Sequence, residues 1–109
     1  MLCEFANCHS MNINKLSSAL ACPSRLAIIQ WLKSPADHFP TQVHADITSV
    51  GVCGAFFAAK LGVTAATASA HLRILADAGF ISSTRLGKWT YFKRNDETLA
   101  AFSASLAEL

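Results

Sequence analysis

The chain has 109 residues and a mass of 11.7 kDa, which is room for one domain and not for a linked pair. Hydrophobic residues make up 52%, but nineteen of the residues are alanine, and the longest apolar uncharged stretch, 47–59, is interrupted by Gly51 and Gly54. A membrane helix needs about 20 apolar residues, so composition and patterning exclude a membrane span, and a net charge of +2 excludes a uniformly basic or acidic chain.

The start of the chain lacks a basic segment followed by an apolar core, so a cytoplasmic protein is expected. Thiols stay reduced there, and the four cysteines are not expected to form structural disulfides. Residues 1–11 read as an N-terminal arm, and 12–109 as the folded domain. In 12–21, Ile13, Leu16 and Leu20 share one helical face. Cys22-Pro23 breaks that helix, because a residue before proline avoids helical angles, and Pro23 suits the first turn of the next one, 23–33. A long connection, 35–52, follows, and its segment 42–50 reads as extended.

The stretch GAFFAAKLG predicts a short helix closed by Gly62. After a tight turn, Thr64 is the expected N-cap of a fourth helix, AATASAHLRILADA, with Ala68, Leu72 and Leu75 inward and Gly79 closing it. The apolar period then changes to two. Residues 80–85 and 88–94 predict a hairpin about a turn at Leu86-Gly87, and a last helix follows over 96–109. The expected fold is mainly α with a β-hairpin wing, in the order α-α-α-α-β-β-α.

Charge singles out one block. Residues 64–94 hold Arg73, Arg85, Lys88, Lys93 and Arg94 against Asp77, a sum of +4, whereas 1–63 sum to +1 and 95–109 to −3. This basic block coincides with a short helix, a glycine turn, a second helix and a hairpin, the layout of a winged helix-turn-helix. A helix that reads a DNA major groove needs small or polar side chains on its N-terminal half so that its backbone can approach the bases. Thr64 and the half that follows it, Ala65, Ala66, Thr67, Ser69, Ala70 and His71, meet that need, and Arg73 follows them; for His71 the alternative is a satisfied helix position. Arg85 and Lys88 near the hairpin tip, with Tyr91, are the candidates to hold phosphates. For Tyr91 the alternative is packing across the hairpin beside Trp89.

The segment ALACPSRLAIIQWL (19–32) resembles a stretch of the ArsR/SmtB family of winged-helix repressors, and KLGVTAATASAHLRILADAGFISSTRLGKWTYFKRN (60–95) resembles that family's recognition helix and wing. The resemblance spans about 12–94. It implies a homodimer joined through the first and last helices, with Leu16, Leu20, Leu99, Phe102 and Leu106 at the interface. It also implies repression of operator DNA that an effector relieves. The chain departs from the pattern at Ala65 and Ala66, where the family usually carries Gln-Pro. Cys53 and Ala55 stand where arsenic and cadmium sensors carry Cys-Val-Cys. The last helix has no His or Cys, which excludes that family's other metal position.

A thiolate site for As(III), Cd, Pb or Zn needs three or four ligands. Cys53 reaches that number only with Cys3 and Cys8 of the arm; no cofactor is otherwise required. Thiol oxidation is the alternative trigger, and a non-metal effector is another. Cys22 reads as a small core hydrophobe, and His38 and His44 as solvated loop residues. A winged-helix module for protein contact alone is the competing function. An enzyme is not expected, because no Cys, His and carboxylate set has catalytic spacing.

Overall fold

A computed structural model describes residues 12–109. Five helices and a three-stranded antiparallel sheet follow in the order α1 (Ile13–Leu20), α2 (Pro23–Lys33), β1 (Val52–Cys53), α3 (Ala55–Leu61), α4 (Ala65–Asp77), β2 (Ile81–Leu86), β3 (Trp89–Arg94) and α5 (Asp96–Ala107), with a turn of 3₁₀ helix at Pro35–Asp37. The helices and the wing lie where the periodicity places them. Three of the helices are capped by their own sequence. Asn12 accepts from the Lys15 N–H, Thr64 from Thr67 and Asn95 from Thr98, each satisfying an amide that the helix itself leaves open.

Two expectations about the connection and the wing change. Residues 42–50 form turns, and the extended piece is β1, which pairs with β3 at Val52–Phe92 and Cys53–Tyr91. A two-residue strand leaves almost no alternation to read, and its partner lies about forty residues away. The hairpin turn is Gly87-Lys88, one residue later than expected, because Leu86 still pairs with Trp89. Gln42 fastens the connection to the sheet. Its amide donates to the carbonyls of Gly51 (2.8 Å) and Ala45 (3.1 Å), and its oxygen accepts from the Cys53 N–H at 2.6 Å. Gly51 is required there: its φ is +124°, and a Cβ would stand 2.5 Å from the Phe92 carbonyl oxygen. Asp46 holds the preceding turn by accepting from the backbone of Ser49 and Thr48. The Ser49 N–H foremost, with the Ser49 hydroxyl and the Thr48 N–H, keeps its carboxyl below the usual value.

The core lies between α1, α2, α4 and the sheet. Ile28, Val52, Phe57, Leu75 and Phe80 are fully enclosed. An aromatic run crosses it: Trp31 meets Phe39 edge-on at 6.1 Å, Phe39 meets Phe57 at 5.1 Å, and Phe57 meets Phe92 at 6.1 Å. The run joins α2, the long connection, α3 and the wing into one unit, so the wing is anchored to the helices and is not a free flap. Arg94, counted above in the basic block, turns back into this unit. It pairs with Asp96 at 2.7 Å and donates to the Ile29 carbonyl.

Candidate nucleic-acid interface

The helix-turn-helix is α3, a turn through Gly62 and Val63, and α4. Gly62 adopts a left-handed φ of +71°, and its N–H bonds the Ala58 and Ala59 carbonyls, which ends α3 and redirects the chain. Thr64 then opens α4. Its hydroxyl accepts the Thr67 N–H at 3.1 Å and donates to the Thr67 hydroxyl at 3.0 Å, so these two candidate contacts form one polar cluster at the helix start. The first turn of α4 contains no acidic residue, which leaves the positive end of the helix dipole uncompensated.

Burial divides α4 into two faces. Ala68, Leu72 and Leu75 are buried, whereas Ala65, Ala66, Thr67, Ser69, Ala70 and Arg73 are exposed. Ala66, Ala70 and Arg73 lie opposite the buried stripe, with Thr67 and Ser69 on their flanks. The outer face is therefore nearly flat for its first two turns and then carries one cation. Arg73 has no hydrogen-bond or ion-pair partner among the described residues. Ala66 and Ala70, read from the sequence as small residues of this half, are exposed here. Their exposure opposite Leu72 marks them, since small side chains let the backbone come close.

His71 is a correction. It does not belong to the outer face: it is half-buried, with Nδ1 3.0 Å from Arg25 Nη1. A guanidinium can only donate, so Nδ1 accepts and the ring proton sits on Nε2. Arg25 also donates to the Ala19 carbonyl at 2.6 Å and reaches the Ser18 carbonyl at 3.4 Å. It thereby ties the C-terminal end of α1 to the middle of α4 through His71. Tyr91 is a second correction. It is only 3% exposed, opposite Cys53 and Thr84 in the sheet, so its side chain is closed off from a phosphate.

The wing carries its cations at the tip. Arg85 and Lys88 are exposed. Arg85 Nε donates to the Gly87 carbonyl at 2.9 Å, which steadies the turn, and the Lys88 ammonium lies 5.4 Å from the Trp89 ring centroid. Arg73 on α4 and these two on the wing tip are the basic block's exposed cations on this side, whereas Lys93 reaches the Ser49 carbonyl at 3.5 Å on the connection side. Between α4 and the wing lies an open cleft, lined in part by Ser69, Arg73, Ser83, Trp89 and Thr90. Ser83, Trp89 and Thr90 were not singled out from sequence, although strand alternation sets Ser83 beside Phe92.

The interface residues also divide. Leu16 is buried in the protomer's own core, and Phe102 is 7% exposed, packed edge-on to Phe80 at 5.5 Å. This corrects their assignment to a dimer surface, because neither has area left to give a partner. Leu20 and Leu99 are half-buried, and Leu106 is 43% exposed on α5. Helical periodicity marks all five as one apolar set and cannot tell the inner edge of that set from its outer edge.

Cys53 is half-buried on β1, at one wall of the cleft, and Cys22 is half-buried at the N-cap of α2. Cys3 and Cys8 lie outside the described residues. Among the described residues no group of three or more His, Cys, Asp or Glu side chains could hold a metal ion, so these residues alone do not fit one. No helix among them is long and apolar enough to cross a membrane.

No protein-family model matches the chain. It is 46% identical over 81 residues to the uncharacterized HTH-type transcriptional regulator YbzH of Bacillus subtilis, covering 74% of this chain and 81% of that one. Its fold is similar to a crystal structure of an ArsR family transcriptional regulator, with TM-score 0.66, 22% identity and coverage of 87% and 88%. It is also similar to the solution structure of a homodimeric winged helix-turn-helix DNA-binding domain from Mycobacterium bovis, with TM-score 0.59, 21% identity and coverage of 87% and 75%. These relatives are transcriptional regulators and not enzymes. The chain belongs to the HTH-type transcriptional regulators, and its fold is the winged helix-turn-helix of the ArsR-type structures.

Proposed function

We propose that this protein is a homodimeric repressor that reads operator DNA with the outer face of α4 and grips the adjoining backbone with its wing. The observation that carries the reading is the exposed, acid-free start of α4, small-faced through Ala66 and Ala70 and followed by the unpartnered Arg73, with Arg85 and Lys88 beyond it on the wing. Small side chains admit the helix to the groove, Ala65 or Ala66 can touch a thymine methyl, and Thr67, Ser69 and Arg73 supply the hydrogen bonds. The dimer is proposed through α1 and α5, where Leu20 is left half-buried on α1 and Leu99 and the exposed Leu106 share one apolar stripe of α5. The homodimeric neighbour of the same fold supports a dimer.

The test is fluorescence anisotropy of the reduced full chain on duplex DNA from upstream of its own gene. Affinity should fall steeply with salt, with a log–log slope of about −5 if Arg73, Arg85 and Lys88 of each protomer all neutralise phosphates. Arg73→Ala and Lys88→Ala should each weaken binding about tenfold without unfolding the protein. Salt-independent or absent binding overturns the reading in favour of a protein-contact module. An effector that relieves binding belongs to the same proposal. Cys53 is the only soft ligand described on this side, so release by a thiophilic ion such as As(III) requires Cys3 and Cys8 with it. Stoichiometric arsenite in the same assay tests this: release supports a three-thiolate sensor, and no release sets it aside.

A further inference from the structure

The cleft between α4 and the wing has a volume of about 410 Å³. That lies within the roughly 300–1,000 Å³ of small-molecule sites, which are mostly apolar with a few placed polar groups. Leu72 and Phe92 supply apolar and aromatic wall, and Trp89, 39% exposed, borders it. The hydroxyls of Ser83 and Thr90 and the guanidinium of Arg73 are among its polar groups. Among the described residues no carboxylate lines the cleft and none pairs with Arg73, so the cleft carries one uncompensated positive charge beside an aromatic ring.

We propose that this cleft binds a small aromatic carboxylate, its ring against Phe92 and Leu72 with Trp89 at its border, and its carboxylate on Arg73. A DNA phosphate is the poorer fit, because phosphates seek amides and cations and most of this wall offers neither. Occupancy takes Arg73 from the outer face of α4 and wedges that helix from the wing, so the ligand releases DNA. This competition rests on the DNA reading proposed above, whereas occupancy of the cleft does not, and the two are tested separately.

The two tryptophans make the test direct. Trp89 borders the cleft, whereas Trp31 packs on Phe39 with the Lys60 ammonium 5.1 Å from its ring centroid. Titrating the DNA-free full chain with 4-(trifluoromethyl)benzoate should move the Trp89 indole N–H signal and leave that of Trp31 in place, with the two assigned by Trp31→Phe. Half-saturation is expected on the order of a millimolar or below for a ligand of this size. The neutral alcohol of the same shape, and the acid on Arg73→Gln, should each bind about tenfold more weakly, while Lys15→Gln binds as the parent does. The site is overturned if Trp89 does not move, if both indoles move together, if acid and alcohol bind alike, or if inorganic phosphate shifts Trp89 as strongly as the acid. At constant ionic strength, saturating acid should weaken operator binding at least tenfold. Undiminished DNA binding with Trp89 shifted overturns the release and leaves the site standing.

Discussion

Helices α4 and α5 are of similar length, alanine-rich and capped by a side-chain oxygen, yet their starts are opposite in charge. The first turn of α4 has no acidic residue, and that of α5 has Asp96 and Glu97. Carboxylates at a helix start satisfy the dipole from within, which steadies the helix and repels phosphate. A bare start leaves that partial charge for an outside anion. The outer faces differ too: α4 ends its small-residue surface with Arg73, whereas the exposed Ala101 and Ala104 of α5 share their stripe with Glu97 and Glu108. The start of α4 is open to an anion, and that of α5 is closed to one.

The largest expected effect tests what α5 does inside the protomer. Phe102→Asp should cost about 3–5 kcal/mol or more, read as a drop in the denaturation midpoint, because it removes a buried ring and buries a charge. Leu106→Asp, one turn further along α5, should keep the fold and shift the sedimentation equilibrium toward monomer. Equal unfolding by both would erase the distinction between core and surface. Next, Ala66→Glu gives α4 the acidic start of α5. Operator affinity at low salt should fall on the order of tenfold to a hundredfold while thermal stability holds or rises, and unchanged affinity would remove α4 from the groove. A smaller effect is expected of His71→Phe. It leaves a half-buried guanidinium without one acceptor and should cost about 1–2 kcal/mol in denaturant titration. Normal stability with weakened DNA binding would instead return His71 to the interface. The smallest effects are Thr64→Ala and Asn95→Ala, each about 1 kcal/mol of stability from a lost cap, and only the first should also lower DNA affinity.

Much of this was legible because it is local. Thr64 three residues before Thr67, Gly62 after α3 and the change of period after Gly79 are decided by neighbours within a few positions, and the structure shows all of them in place. The basic block was legible as a sum and less so residue by residue. Arg94 finds Asp96 and the Ile29 carbonyl, so it leaves the exposed field. His71 was left between a groove contact and a satisfied helix position because alanine and serine surround it on α4, and a helix of small residues carries a weak signal of which side turns inward. Arg25, forty-six positions earlier, decides it.

By itself the sequence determined the order of helices, the wing and the cation-bearing segment, since helical and strand periods and caps are short-range properties of the chain. Only the tertiary structure decided which atoms meet. It drew Phe102 and Leu16 into the core, closed Tyr91 into the sheet, and laid β1 against β3 through Gly51. It also opened the cleft beside Arg73. Each depends on contacts between segments far apart in the chain, where packing chooses among faces that the local pattern leaves equivalent.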